Sequence, residues 1–362
     1  MARKIFQTRC PADGFPSVLP FAVALATPIP SGSQAGDFMR YRAFGRTGWR
    51  VSEIGFGGWQ IGGQWGRVDD EASIRTLLHA FEVGINFVDT AQLYGAGHSE
   101  TLIGHALRQW RGGKIYVATK AQPTVWPNPD DTAPEMRGRF PNWRLRANVD
   151  ASLRRLGVER IDLFQLHSWG PSGHRELDWL ETLSDLRAEG KIDQIGVSLR
   201  DNQPQEGVAL ARLGLVASEQ VIFNMFEQPP RDALFPAAQT GGTAIIARVP
   251  LDSGSLIGTW TADSYSGFEP GSQPHQMFRG DRFAETLARV SALKADVAPY
   301  YSNLAEAATR FVLAHDAVSV LIPGMKSPEE VDMNIRYSDG ATFPPELMAK
   351  MPCHAWVRNF YR

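Results

Sequence analysis

The chain has 362 residues, 43% hydrophobic, 21% charged and 10% aromatic, which supplies one large core or two small ones and excludes a disordered or fibrous protein. Thirty-seven basic and thirty-nine acidic residues leave a net charge of −2 with no long run of one sign, so no basic stripe exists to neutralise nucleic-acid phosphates. The two cysteines, Cys10 and Cys353, exclude a disulfide framework and a multi-cysteine zinc site and point to a reducing compartment, while no apolar run is long enough for a membrane-spanning helix.

Residues 1–38 carry Arg3, Lys4 and Arg9 and then an apolar stretch from Val18 to Ala26 that superficially resembles a secretory signal. Pro20 interrupts that stretch and Asp13 sits in its would-be basic leader. The segment is therefore expected to be a disordered N-terminal extension, with Met39 as the start of the protein proper. From Met39, the run Arg40 to Phe44, a turn over Gly45 to Gly48, and Trp49 to Val51 predict a short hairpin. Apolar runs of strand length follow at Ile54–Trp59, Ile85–Thr90, Ile115–Thr119, Ile161–Leu166, Ile192–Leu199, Gln220–Met225, Ala244–Val249 and Val318–Pro323. Helical spacing lies between them, as in Asp70–Val83, Leu145–Leu156, Trp179–Arg187 and Phe283–Ala295. Strands that are apolar on both faces are what a helix-covered parallel sheet requires, and eight such units predict a closed (β/α)8 TIM barrel over one domain, 39–362. Two segments are too long for plain connectors: Ala121 to Trp143 after the third strand, and Asp252 to Arg282 after the seventh. Both leave strand C-termini, the face on which such barrels build their sites.

That face collects chemistry. The second strand ends at Asp89, Tyr94 follows in its loop, the third ends at Lys120 and the fourth at His167. Each residue alone has an ordinary structural reading as a cap, a packed aromatic, a solvated lysine or a buried histidine. Together they suit carbonyl reduction, in which negative charge builds on the carbonyl oxygen and a proton donor must stand within hydrogen-bond reach. Tyr94 is the candidate donor, Lys120 the cation expected to bring its phenol toward the working pH range, and Asp89 the anion keeping Lys120 charged. His167 would orient the substrate oxygen.

On these four residues, and on the long match over Gly84 to Glu100, the sequence resembles the aldo-keto reductase superfamily across nearly all of 40–340. The resemblance implies a nicotinamide-dependent oxidoreductase, and a His at 167 implies action on aldehydes or ketones. No Gly-x-Gly-x-x-Gly opens a helix after a strand, so the dinucleotide fold of open sheets is absent from the sequence. The resemblance instead assigns the cofactor to Gly58, Trp59 and Asp89, to Ser198 and Gln220 at the carboxamide, and to Arg248, Pro250 and Leu251 on the seventh strand. Arg248 stands where an aromatic commonly stacks on nicotinamide, and Leu199 where an Asn is usual. Ser253, Gly254, Leu256 and Gly258 belong to the expected pyrophosphate-covering loop. Gly324, Met325, Lys326, Glu330 and Asn334 are expected at the adenosine end. NADP(H) is favoured by the resemblance; Glu330, where Arg or Gln is frequent, leaves NAD(H) open. Trp59, Tyr94, Trp126, His167 and Trp169 are the expected substrate wall.

The expected function is reduction of aldehydes or ketones by hydride transfer, with sugar or alcohol oxidation on the same site as one alternative. A non-catalytic nucleotide-binding redox sensor is the other. The eight histidines form no ligand pair, so no metal is expected. The expected partner is a small-molecule carbonyl or alcohol, with no nucleic acid or membrane, in a cytoplasmic monomer or weak homo-oligomer.

Overall fold

The computed structural model describes residues 39–128, 135–170, 173 and 175–360. The chain separates into the units Met1–Asp37 and Phe38–Arg362. The expected extension over 1–38, Cys10 included, lies outside the described residues.

A hairpin opens the second unit. Strand β1 (Tyr41–Ala43) pairs antiparallel with β2 (Arg50–Ser52) across the expected glycine turn. Eight parallel strands follow: β3 (Phe56–Gly57), β4 (Phe87–Asp89), β5 (Tyr116–Ala121), β6 (Ile161–Trp169), β7 (Ile192–Leu199), β8 (Ser218–Ile222), β9 (Ala244–Arg248) and β10 (Val318–Ile322). Parallel bridges Ile54–Leu321 and Gly57–Gly324 join β3 to β10 and close the ring. The hairpin side chains Phe44, Trp49 and Val51 cluster with the inward residues Phe87, Leu163, Ile246 and Val320, and Trp49 stacks on Tyr116 at the start of β5. The hairpin thus fills the barrel at its strand N-termini and leaves the opposite rim for function.

Helices cover the outside: α1 (Asp70–Glu82), α2 (His98–Gln109), α3 (Asn142–Leu156), α4 (Asp178–Ala188), α5 (Val208–Leu213), α6 (Pro230–Gly241), α7 (Gln273–Met277), α8 (Asp281–Val297), α9 (Leu304–Leu313), α10 (Pro328–Ile335) and α11 (Pro345–Lys350). Their starts follow capping chemistry. Asp69, Asn303 and Ser327 each accept a backbone N–H from the first turn of α1, α9 and α10. All eight expected strands and all four expected helices are present, within a few residues at each end. Two strand ends differ for local reasons. The sixth expected run continues to Met225, yet β8 stops at Ile222, because the Asn224 side chain accepts the Phe226 and Glu227 amides at 2.9 Å and turns the chain. Phe223 makes a last backbone bond to the Arg248 carbonyl at 3.3 Å and packs on Phe235 and Phe311. The fourth strand runs on to Trp169 through a register shift after His167. The long loop after β9 is also ordered: its Trp260, Phe268 and Phe278 form an aromatic satellite core with Phe283 of α8. Among the described residues, no helix is long and apolar enough to cross a membrane.

Candidate active site

The strand C-termini surround a cleft of about 680 Å³, within the usual range of roughly 300–1,000 Å³ for small-molecule sites. Register sets polar side chains side by side at and beneath it: Lys120 of β5 lies opposite Gln165 of β6, His167 opposite Ser198 of β7, and Ser198 opposite Gln220 of β8. Lys120, Gln165 and Gln220 converge on Asp89 from the inner face of their strands.

At the centre, the Lys120 ammonium is fully buried and donates to Asp89 Oδ2 at 2.6 Å, to the Thr90 carbonyl at 2.9 Å and to the Tyr94 hydroxyl at 3.4 Å. Asp89 is held in turn by Gln220 Nε2 at 2.7 Å and Gln165 Nε2 at 3.3 Å, both donating to Oδ1. A carboxylate with this many donors suits its role as the counter-ion of a buried lysine. Tyr94 heads a short turn that approaches the loop after β3 very closely. A Cβ on Gly95, where φ is 63°, would lie 2.2 Å from the Gly62 carbonyl oxygen, so glycine is required there. Its ring stacks on Trp59 and meets His167 edge-on at 6.4 Å, and Trp126 from the long loop after β5 meets His167 at 5.4 Å.

The electrostatics correct one expectation. Burial outweighs the Lys120 charge, so the Tyr94 phenol is pushed above its ordinary 10.0 and not drawn toward neutrality. Burial, with the Lys120 and Arg248 charges behind it, holds His167 well below 6.5, so the imidazole is neutral. Its Nδ1 is buried without a hydrogen-bond partner among the described residues.

Of the residues expected at the cofactor, Gly58, Trp59, Asp89, Ser198, Gln220, Arg248, Pro250, Leu251, Ser253, Gly254, Gly324, Lys326, Glu330 and Asn334 line this cleft. Leu256 and Met325 do not: both are fully buried in the main core. Gly258 faces away too, with a Cβ there meeting Lys294 of α8 and Leu304 of α9. Trp169 is likewise absent from the expected substrate wall. Ser168 adopts a φ of 72° at the register shift, and the Trp169 ring turns outward onto Trp179 of α4. Arg248 makes an ion pair with Asp201 at 2.6 Å and donates to the Leu199 carbonyl at 3.3 Å.

Sequence reasoning missed Gln60, Trp65, Asp201 and Asn359, all in the cleft wall. Gln60 packs on Gly324, where any Cβ would lie 2.6 Å from its Cδ, and its Oε1 is buried without a partner among the described residues. Asn359 arrives from the C-terminal tail, which no strand pattern could place. At the far end Ser327 caps α10, and the Glu330 carboxylate accepts the Lys326 backbone N–H at 2.9 Å.

A family model described as the aldo/keto reductase family matches residues 53–353. The aldo-keto reductase YhdN of Bacillus subtilis (strain 168) is 30% identical over 298 residues, covering 81% of this chain and 87% of that protein. An NADH-specific methylglyoxal reductase of Escherichia coli (strain K12) is 28% identical over 309 residues, covering 82% and 93%. Among solved structures, the holo form of aldo-keto reductase AKR11C1 from Bacillus halodurans superposes with a TM-score of 0.69 at 25% identity, covering 88% of this chain and 97% of that one.

Proposed function

The chain belongs to the aldo/keto reductase family, and from that premise we propose that it reduces aldehydes and ketones to alcohols with a nicotinamide cofactor, Tyr94 giving the proton. One observation carries the reading: the buried Lys120 ammonium bonds both Asp89 and the Tyr94 hydroxyl, in the cleft that His167 also lines. The cleft also suits a dinucleotide. It runs from this cluster past Ser253 and Gly254 to Gly324, Glu330 and Asn334, and the unpartnered Gln60 Oε1 awaits a donor such as a ribose hydroxyl.

The bound cofactor supplies the hydride that the carbonyl carbon accepts. This chain's residues do the rest. Neutral His167 hydrogen-bonds the carbonyl oxygen and orients it beside the Tyr94 hydroxyl. Because burial raises the Tyr94 pKa, the phenol holds its proton until charge develops on that oxygen, and then releases it there. Lys120, paired with Asp89 at 2.6 Å, stabilises the phenolate left behind. Trp59 and Trp126 flank the reacting oxygen, Trp59 stacked on Tyr94 and Trp126 edge-on to His167. Oxidation of an alcohol uses the same groups in reverse.

At the adenosine end the Glu330 carboxylate already accepts the Lys326 amide at 2.9 Å, so an anion stands where a 2′-phosphate would come. This supports NAD(H) over the NADP(H) favoured by the resemblance, and the relative named for NADH specificity agrees with it. The catalytic unit in this reading is the barrel, 39–362, acting in the cytoplasm as a monomer or weak homo-oligomer. The test is consumption of NADH and NADPH with a generic aromatic aldehyde. Wild type should turn over, and Tyr94→Phe should lose about 10²–10⁴ in kcat while binding cofactor normally. A Tyr94→Phe enzyme of wild-type activity refutes the role given to Tyr94.

A further inference from the structure

Arg248 ends β9 with its side chain in the cleft wall, only 18% exposed, and Asp201, in the loop after β7, pairs with it at 2.6 Å while 29% exposed. Leu199, the last residue of β7, adds its carbonyl to the same guanidinium nitrogen at 3.3 Å. The pair therefore lies partly buried in the wall of the reaction cleft. We propose that it sets the relative affinity of the site for the two redox forms of the cofactor, Arg248 favouring the reduced form and Asp201 opposing that bias.

The inference rests on the nicotinamide reading above. Hydride transfer requires the nicotinamide ring within about 3–3.5 Å of the carbonyl carbon. The carbonyl oxygen in turn lies at Tyr94 and His167, and the Arg248 charge acts on both of these groups. A charge that reaches both oxygen-binding groups also reaches the ring. The reduced ring is neutral and the oxidised ring carries a positive charge, so a guanidinium nearby disfavours only the oxidised form and a carboxylate favours it. The Lys120–Asp89 pair is common to both forms and to every variant below, so it drops out of the comparison. For a partly buried charge screened by its partner, the expected effect is of order tenfold in relative affinity. A plain structural staple between the ends of β7 and β9 would instead weaken both forms alike.

The test is the dissociation constants of NADH and NAD+, by quenching of tryptophan fluorescence at matched pH and salt, for wild type, Arg248→Gln, Arg248→Lys and Asp201→Asn. Arg248→Gln should lower the NAD+ to NADH ratio of dissociation constants about tenfold, and Asp201→Asn should raise it by a similar factor. Arg248→Lys keeps the charge and should stay within about threefold of wild type. A ratio unmoved by both Arg248→Gln and Asp201→Asn, or moved the same way by both, overturns the proposal even if both affinities fall. Failure of the wild type to bind either nucleotide overturns the cofactor reading beneath it.

Discussion

Glu219 offers a test of the layer between strands and helices that is independent of the cleft. It lies on β8 between Ser218 and Gln220, and both carboxyl oxygens are buried without a hydrogen-bond partner among the described residues. The carboxyl presses on Gly207, where a Cβ would come 2.0 Å from Oε2. Burial alone raises its pKa well above 4.5, so the folded state keeps a proton that the unfolded chain gives up. A folded pKa above the unfolded one means stability that is whole below the unfolded value and falls as pH climbs toward the folded value, by about 1.4 kcal/mol per pH unit. Glu219→Gln carries no such proton. The unfolding free energy of the variant minus that of wild type should therefore grow as pH rises above the ordinary carboxyl value of 4.5, whatever constant offset the amide introduces. Urea denaturation followed by tryptophan fluorescence at several pH values measures that difference. A difference that stays constant across the range would show that the carboxyl titrates normally in the fold and would refute the reasoning.

Other predictions concern the cleft. Asp89→Asn leaves the fully buried Lys120 ammonium without its carboxylate and should cost about 3–5 kcal/mol in urea unfolding at neutral pH; a loss below about 1 kcal/mol contradicts the buried pair. The acid limb of catalysis needs His167 to gain a proton, which is moved down, and the alkaline limb needs Tyr94 to lose one, which is moved up. The reductive kcat/KM should therefore be flat from about pH 6 to 9, and an inflection near the ordinary histidine value of about 6.5 would count against it. Glu330→Gln removes the anion at the start of α10 and should tighten NADPH binding about tenfold while leaving NADH within about twofold, read by the same fluorescence titration.

The barrel was legible because its signal is strong: apolar runs of strand length recur with helical spacing between them, and Asp89, Lys120 and His167 interrupt such runs at their C-terminal ends. The structure brings Asp89, His167 and Tyr94 to one cleft, with Lys120 buried beneath and bonded to Asp89 and Tyr94. Trp169 was misplaced because two residues beyond His167 should share its face, and a backbone shift at Ser168, invisible in composition, reverses the ring. The acidity of Tyr94 was misjudged for a related reason: charge partners can be guessed from residue types, whereas the depth of burial that outweighs Lys120 depends on Trp59 and the Gly62–Gly95 contact. Asp201, Gln60 and Asn359 sit in loops or the tail, whose positions follow from tertiary contacts and carry no periodic pattern.

The central claim is direct hydride delivery in the cleft, with the proton coming from Tyr94. It is tested most directly by reducing an aldehyde with NADH carrying deuterium at both C4 positions and examining the alcohol by mass spectrometry and NMR. The account predicts one deuterium on the carbinol carbon and none exchanged into water. Alcohol formed without deuterium at that carbon would contradict it.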